Sequence, residues 1–176
     1  MAETPVLFRD RRTGLKRSIK ILILGDYSKD AEVAGPEDIC ERQLIDLKTY
    51  LREKGFNETY LVKDFEDEDE VPEELLDEHF LKKSEHYIEH WADILVFILL
   101  KEGDNQSVVR EWAHMILKCP EKCNDAILLN HEDVVLRAVL RGDISSNQIS
   151  QDTFIDENTL HERAYHLCYV KLYNHL

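Results

Sequence analysis

The sequence predicts an α/β protein, a three-layer, doubly wound parallel sheet of about five strands. Three observations predict it. Short runs of Ile, Leu and Val alternate along the chain with longer amphipathic stretches. The run ILVFILL at 94–100 contains no polar residue, as expected of a strand covered on both faces. Turn-forming and polar residues collect in the loops after the first and third apolar runs, GDYSKD and KEGDNQS.

Taken in order, residues 1–17 carry Arg9, Arg11, Arg12, Lys16 and Arg17 with no apolar stretch behind them. They read as a solvated basic N-terminal arm, not a secretory signal. Residues 18–176 then form one domain, long enough to bury a core. SIKILILG, Ser18 to Gly25, is the first strand. Ile39, Leu44, Leu47 and Leu51 make the apolar stripe of a helix over about 37–54, with Gly55 as its C-terminal cap. TYLVKDF, from Thr59, is a second strand, less apolar and so nearer an edge.

Pro72 opens a helix to about Trp91, with Leu76, Phe80, Tyr87 and Trp91 on one face. Ile94 to Leu100 is the third strand, followed by a helix from about Gln106 that turns Val108, Val109, Trp112 and Ile116 inward. DAILLN, Asp125 to Asn130, is the fourth strand; a helix over 133–140 follows, stopped by Gly142. A short fifth strand falls at 153–155, and a last helix runs from Glu157 to about Tyr173. Such βα units place the strands in the flavodoxin-like order 2-1-3-4-5, with a switch point between strands one and three where ligands bind at the carboxyl ends.

Charge and composition narrow the function classes. The net charge is −14, and the stretch 64–78 holds ten acids without a Lys or Arg. Such a surface repels phosphate backbones and disfavours general nucleic-acid binding. No apolar run approaches the ~20 residues of a membrane span. Four cysteines and no secretory signal point to reduced thiols in a cytoplasmic protein. CPEKC is spaced CxxxC, and His86 and His90 stand four apart without a third flanking ligand, so no metal is expected. No cofactor is expected either: GxGxxG, GxxxxGK[ST] and GxSxG are all absent.

The switch point gathers Gly25, Asp26, Tyr27 and Ser28 from the first loop and Asp104, Asn105, Ser107 and Glu111 from the second. Hydroxyls, an amide, carboxylates and a ring suit a sugar or nucleoside, and the first amides of the following helix suit an anion. The same residues have structural readings. A Glu in the first turns of a helix gains about 0.3–1 kcal/mol from the helix dipole. Asp26 and Ser28 suit a turn and Ser107 a helix cap. Trp112 shares the inward stripe of Val108 and Ile116.

The run ADILVFIL, the polar loop and SVVREWAHM, Ser107 to Met115, resemble the nucleoside 2-deoxyribosyltransferase-like superfamily and its TIR-like relatives. There a helix after such a strand carries a catalytic Glu in a pattern like GxxxExGxA. The likeness covers about 19–130; the Lys83-Ser84 pair is a weaker point of similarity. Ser107 and Ala113 stand where the pattern has glycines and Met115 where it has alanine. Ser107 narrows the space a glycine leaves for close approach of a substrate.

The resemblance implies cleavage of an N-glycosidic bond at a ribose-type C1′, by hydrolysis or transfer. Glu111 would be the catalytic carboxylate, attacking C1′ or stabilising the oxocarbenium ion. Asp26 or Asp104 would bind ribose hydroxyls, and Tyr27 or Trp112 would stack on the base. The small-molecule partner would be a nucleoside, a nucleotide or NAD, in a site that such families often complete across a homodimer. The alternative is a non-catalytic nucleotide-sensing or protein-interaction module of the same fold.

Overall fold

A computed structural model describes residues 4–26, 39–67, 72 and 75–176; the side chains of 4–10 and of Asp77 are outside the description. The helices are α1 (Thr4–Ser18), α2 (Ile39–Glu53), α3 (Leu76–His90), α4 (Gln106–Lys118), α5 (Ala138–Asn147) and α6 (Glu157–Leu172). The strands are β1 (Ile21–Leu24), β2 (Thr59–Leu61), β3 (Ile94–Leu99), β4 (Ala126–His131) and β5 (Ser150–Phe154). All pair in parallel, in the order β2-β1-β3-β4-β5. This is the three-layer, flavodoxin-like arrangement that the alternation of elements predicts.

The twofold alternation of strand side chains divides the core. Ile21 and Ile23 of β1 and Ile94, Val96 and Ile98 of β3 pack with Leu44, Leu47 and Leu51 of α2 and Leu160, Ala164 and Cys168 of α6. Leu22, Leu24, Leu95, Phe97 and Leu99 face the other way, onto Ile88 of α3, Val108, Trp112 and Met115 of α4 and Leu140 of α5. β3 is buried along its whole length, so its unbroken apolar run has a mechanical reason. α6 begins at Asp156, whose carboxylate accepts from the Thr159 amide at 2.8 Å.

Several local expectations are corrected. The basic segment at the amino terminus is helical, and Arg12 and Lys16 reach tyrosines of α6 and just beyond it. Arg12 donates to the Tyr169 and Tyr173 hydroxyls at 3.5 and 3.3 Å, and Lys16 to Tyr165 at 3.2 Å. Lys16 also lies 4.9 Å from the Phe56 ring centroid. The helix expected over 133–140 is instead α5. The amides ahead of it close turns at the sheet end: Glu132 donates to the Phe154 carbonyl and Val134 to that of His131, both at 2.9 Å. Gly142 lies inside α5, and Gln148, at φ 56°, ends it. The fifth strand starts earlier than expected, at Ser150, and Ile155 is exposed. The second strand is shorter, since Asp64 turns back to accept from the Leu61 amide at 2.7 Å.

Candidate functional site

β1 and β3 are neighbours whose connections leave to opposite faces of the sheet, so their carboxyl ends frame a crevice. Among the described residues a cavity of about 560 Å³ opens there. Asp26 enters it from β1; Asp104, Gln106, Ser107, Arg110 and Glu111 enter it from the loop and first turns of α4. Leu76, His79, Phe80 and Leu81 of α3 form the opposite wall, with Asp67 beside them.

The floor is built from the backbone. Asn105 sits at φ 58°, in the left-handed region, and caps α4. Its side-chain oxygen accepts from the Leu100 amide at 3.0 Å, and its NH₂ donates to the Leu100 and Gly103 carbonyls at 2.9 and 3.1 Å. Both amide donors are therefore engaged within the loop. The Asn105 amide N–H donates to Asp26 at 3.1 Å, so the first loop is fastened to the second. A Cβ at Gly103 would stand 2.8 Å from the Asp26 carboxylate; only glycine allows this approach. Gly25 is demanded from the other side, where a Cβ would meet Leu44 of α2 at 2.6 Å.

Glu111 is the centre of the cavity wall. It is 2% exposed, and its Oε2 has no hydrogen-bond partner among the described residues. Burial pushes its carboxyl up to about 8; a hydrogen bond with Ser84 opposes the shift, and the charges of Glu85 and Asp26 add to it. Ser84 lies on α3 and is fully buried, its hydroxyl donating to the Leu81 carbonyl at 2.8 Å. In that orientation the hydroxyl offers Glu111 only a lone pair, which a protonated carboxyl can use. When Glu111 ionises, the hydroxyl must turn to donate to it. The Ser107 hydroxyl is buried beside the same space and has no partner among the described residues. Asp104 accepts from the Gln106 amide at 2.9 Å, holding the start of α4.

The expected site residues thus divide. Asp26, Asp104, Ser107 and Glu111 line one cavity. Gly25 and Asn105 shape its floor: Gly25 has only backbone to offer, and the Asn105 side chain is engaged within its own loop. Trp112 is corrected. It is 2% exposed in the core, its ring edge-on to Phe97 at 5.1 Å, and its N–H donates to Asp143 of α5 at 3.0 Å. A residue adjacent to Glu111 on a helix points about 100° away from it. Tyr27 and Ser28 lie outside the described residues.

Sequence reasoning put Leu76 and Phe80 on one face of α3 but did not bring that helix to the site. Ser84 is one helical turn from both Phe80 and Ile88, so a polar residue interrupting that inward row was the available signal. Lys83, its neighbour, reaches Asp67 at 2.8 Å, and His79 meets the same carboxylate at 2.9 Å. His79 and Lys83 hold the Asp67 carboxyl below its usual range. Arg110 brings a cation to the mouth, and no sequence pattern singled it out.

Among solved structures, the chain is similar to a CMP N-glycosidase from Clostridium botulinum, with TM-score 0.52 and 14% identity over 82% of this chain and 97% of that one. It also aligns with a 2-deoxyribosyltransferase from the psychrotolerant bacterium Bacillus psychrosaccharolyticus, with TM-score 0.49 and 16% identity over 81% and 90%. No protein-family model and no curated protein matches the chain. At 14% identity, what this chain shares with the glycosidase is its fold, and the likeness extends over nearly the whole of that chain.

Proposed function

We propose that this chain cleaves the N-glycosidic bond of a nucleoside or nucleotide, by hydrolysis or transfer, with Glu111 as the carboxylate that acts at C1′. The observation that carries the reading is the placement of Glu111: a buried carboxyl with an unpartnered oxygen, lining a cavity at the switch point. The fold shared with an N-glycosidase supports it.

In this reading ionised Glu111 attacks C1′. The C1′–N bond breaks, and the base leaves with the bonding pair and takes up a proton. Water or a second base then resolves the glycosyl ester and releases the carboxylate. Asp26 and Asp104 accept from ribose hydroxyls. Arg110 stands where a 5′-phosphate would find its cation. NAD, the substrate that the TIR-like resemblance adds, carries the same ribosyl–base bond. One observation favours the non-catalytic, nucleotide-sensing alternative: burial favours the protonated form of Glu111, and a neutral carboxyl is no nucleophile.

A product assay decides between them. Protein is incubated with 2′-deoxynucleosides, nucleoside monophosphates and NAD, and free base is followed by chromatography beside Glu111→Gln. Release that vanishes in the variant supports the enzyme. Saturable binding without release supports the sensor.

A further inference from the structure

A second cluster of reactive side chains lies on the same pair of helices, away from the cavity. Glu89 of α3, His114 of α4 and Cys119, which caps α4, bring one oxygen, one ring nitrogen and one sulfur within 4.8 Å of one another. We infer that Glu89, His114 and Cys119 form a binding site for a divalent metal of the zinc class, pinning the end of α3 to the end of α4.

The donor set is mixed. A thiolate selects against magnesium and calcium, an imidazole suits zinc, and a carboxylate completes a set that zinc accepts. Three protein ligands leave a fourth tetrahedral position for water. The burial is graded to match. Cys119 is 2% exposed, the His114 side chain 14% and the Glu89 side chain 35%, so an ion enters past the carboxylate and meets the sulfur last.

The orientation of the imidazole is the second observation. His114 Nε2 lies 2.8 Å from a Glu89 oxygen, and its Nδ1 lies 3.4 Å from an oxygen of Glu85. A metal-binding histidine commonly turns its other nitrogen to a carboxylate, which fixes the tautomer and raises the basicity of the ligating nitrogen. Glu85 supplies that partner one residue after Ser84, on the helix that also carries Glu89. A lone structural ion pair needs only one carboxylate; His114 faces two, and a divalent cation neutralises the negative charge left over.

Sequence spacing hides this site. Its members stand at 89, 114 and 119, and the pairs that attract attention, CPEKC and His86/His90, each contribute at most one member. Cys119 belongs to CPEKC, but Cys123 and the His86/His90 pair are outside the cluster.

The test uses the full chain after chelator treatment. We expect one equivalent of zinc to bind with a Kd below about 1 μM, and cobalt(II) in its place to show a sulfur-to-cobalt charge-transfer band. Cys119→Ser removes the band, and Cys119→Ser and His114→Gln each weaken zinc binding about 100-fold or more. Glu85→Gln weakens it about 10-fold. Cys123→Ser changes neither. The inference is overturned by failure to bind a stoichiometric ion, by zinc binding without a thiolate band for cobalt, or by a band that survives Cys119→Ser. The wild-type cobalt spectrum reads thiolate ligation on its own, so a Cys119→Ser chain that fails to fold does not shield the idea.

Discussion

The two ends of the α3–α4 pair use the same residue types to opposite effect. At the amino end of α4, Glu111 is buried against Ser84, with its charge unfavoured and no ion-pair partner among the described residues. At the carboxyl end, Glu85 and Glu89 flank His114 at 3.4 and 2.8 Å and remain partly exposed. One carboxyl is left under-paired beside a cavity; the other two are paired at the surface. A carboxylate that is desolvated without a partner destabilises the fold and is poised for chemistry. A solvated pair contributes little of either. Position along two helices, and not residue identity, separates the roles.

The largest expected effect is on activity. Glu111→Gln keeps the shape of the site and removes the charge, and turnover falls about 10³-fold or more in the base-release assay. If Glu111 is the nucleophile, wild-type kcat/KM rises with pH towards about 8, because only an ionised carboxylate attacks. A profile that falls through the same pH assigns Glu111 to proton donation instead.

Stability moves the other way in the same variant. A carboxyl held near 8 in the fold titrates near its usual 4.5 when unfolded, so folding favours the protonated form. Its contribution is fully favourable below about pH 4.5 and is lost as the pH rises to about 8. Glu111→Gln escapes that loss. Between pH 5 and pH 8 its unfolding free energy relative to wild type should climb by on the order of 4 kcal/mol, read from denaturant titrations at the two pH values. A difference that stays flat with pH means that Glu111 is solvated.

Much of the fold was legible because one signal dominates each central element. β3 is an unbroken apolar run, and a parallel strand covered on both faces has no other composition open to it. The switch point followed from strand order, and with it Asp26, Asp104, Ser107 and Glu111. The rest depended on contacts between distant segments. The amino-terminal helix is held by Arg12 and Lys16 on tyrosines about 150 residues away, which no local pattern announces. Trp112 and Glu111 are adjacent in sequence and face different compartments. Asn105 reads as a ligand-binding amide and is the clasp of its own loop, since its left-handed backbone leaves its side chain over the Leu100 peptide.

Gly103→Ala sharpens the contrast from the loop side. The added Cβ meets the carboxylate of Asp26 at 2.8 Å and its Cβ at 3.1 Å, so the side chain or the loop must shift. The fold should lose about 1–3 kcal/mol, and any base release should fall with it, while zinc binding at the far end is untouched. Equal loss at both ends would mean that the helix pair moves as one body. Ser84→Ala is gentler. It removes the hydrogen bond that favours ionised Glu111, so the midpoint of the pH–rate profile moves upward from about 8. A midpoint that moves down would make Ser84 an acceptor only.

The smallest effect belongs to the paired end. In metal-free protein Glu89→Gln removes one partner of His114 and leaves Glu85 in place. Glu89 is about one-third exposed, so water screens the pair and replaces the lost contact, and the unfolding free energy at pH 7 should change by less than about 1 kcal/mol. The same Glu-to-Gln exchange then gives a large, pH-dependent stabilisation at one end of α4 and almost nothing at the other. If Glu89→Gln instead costs several kcal/mol without metal, the histidine–carboxylate pair is as desolvated as Glu111, and the distinction between the two ends fails.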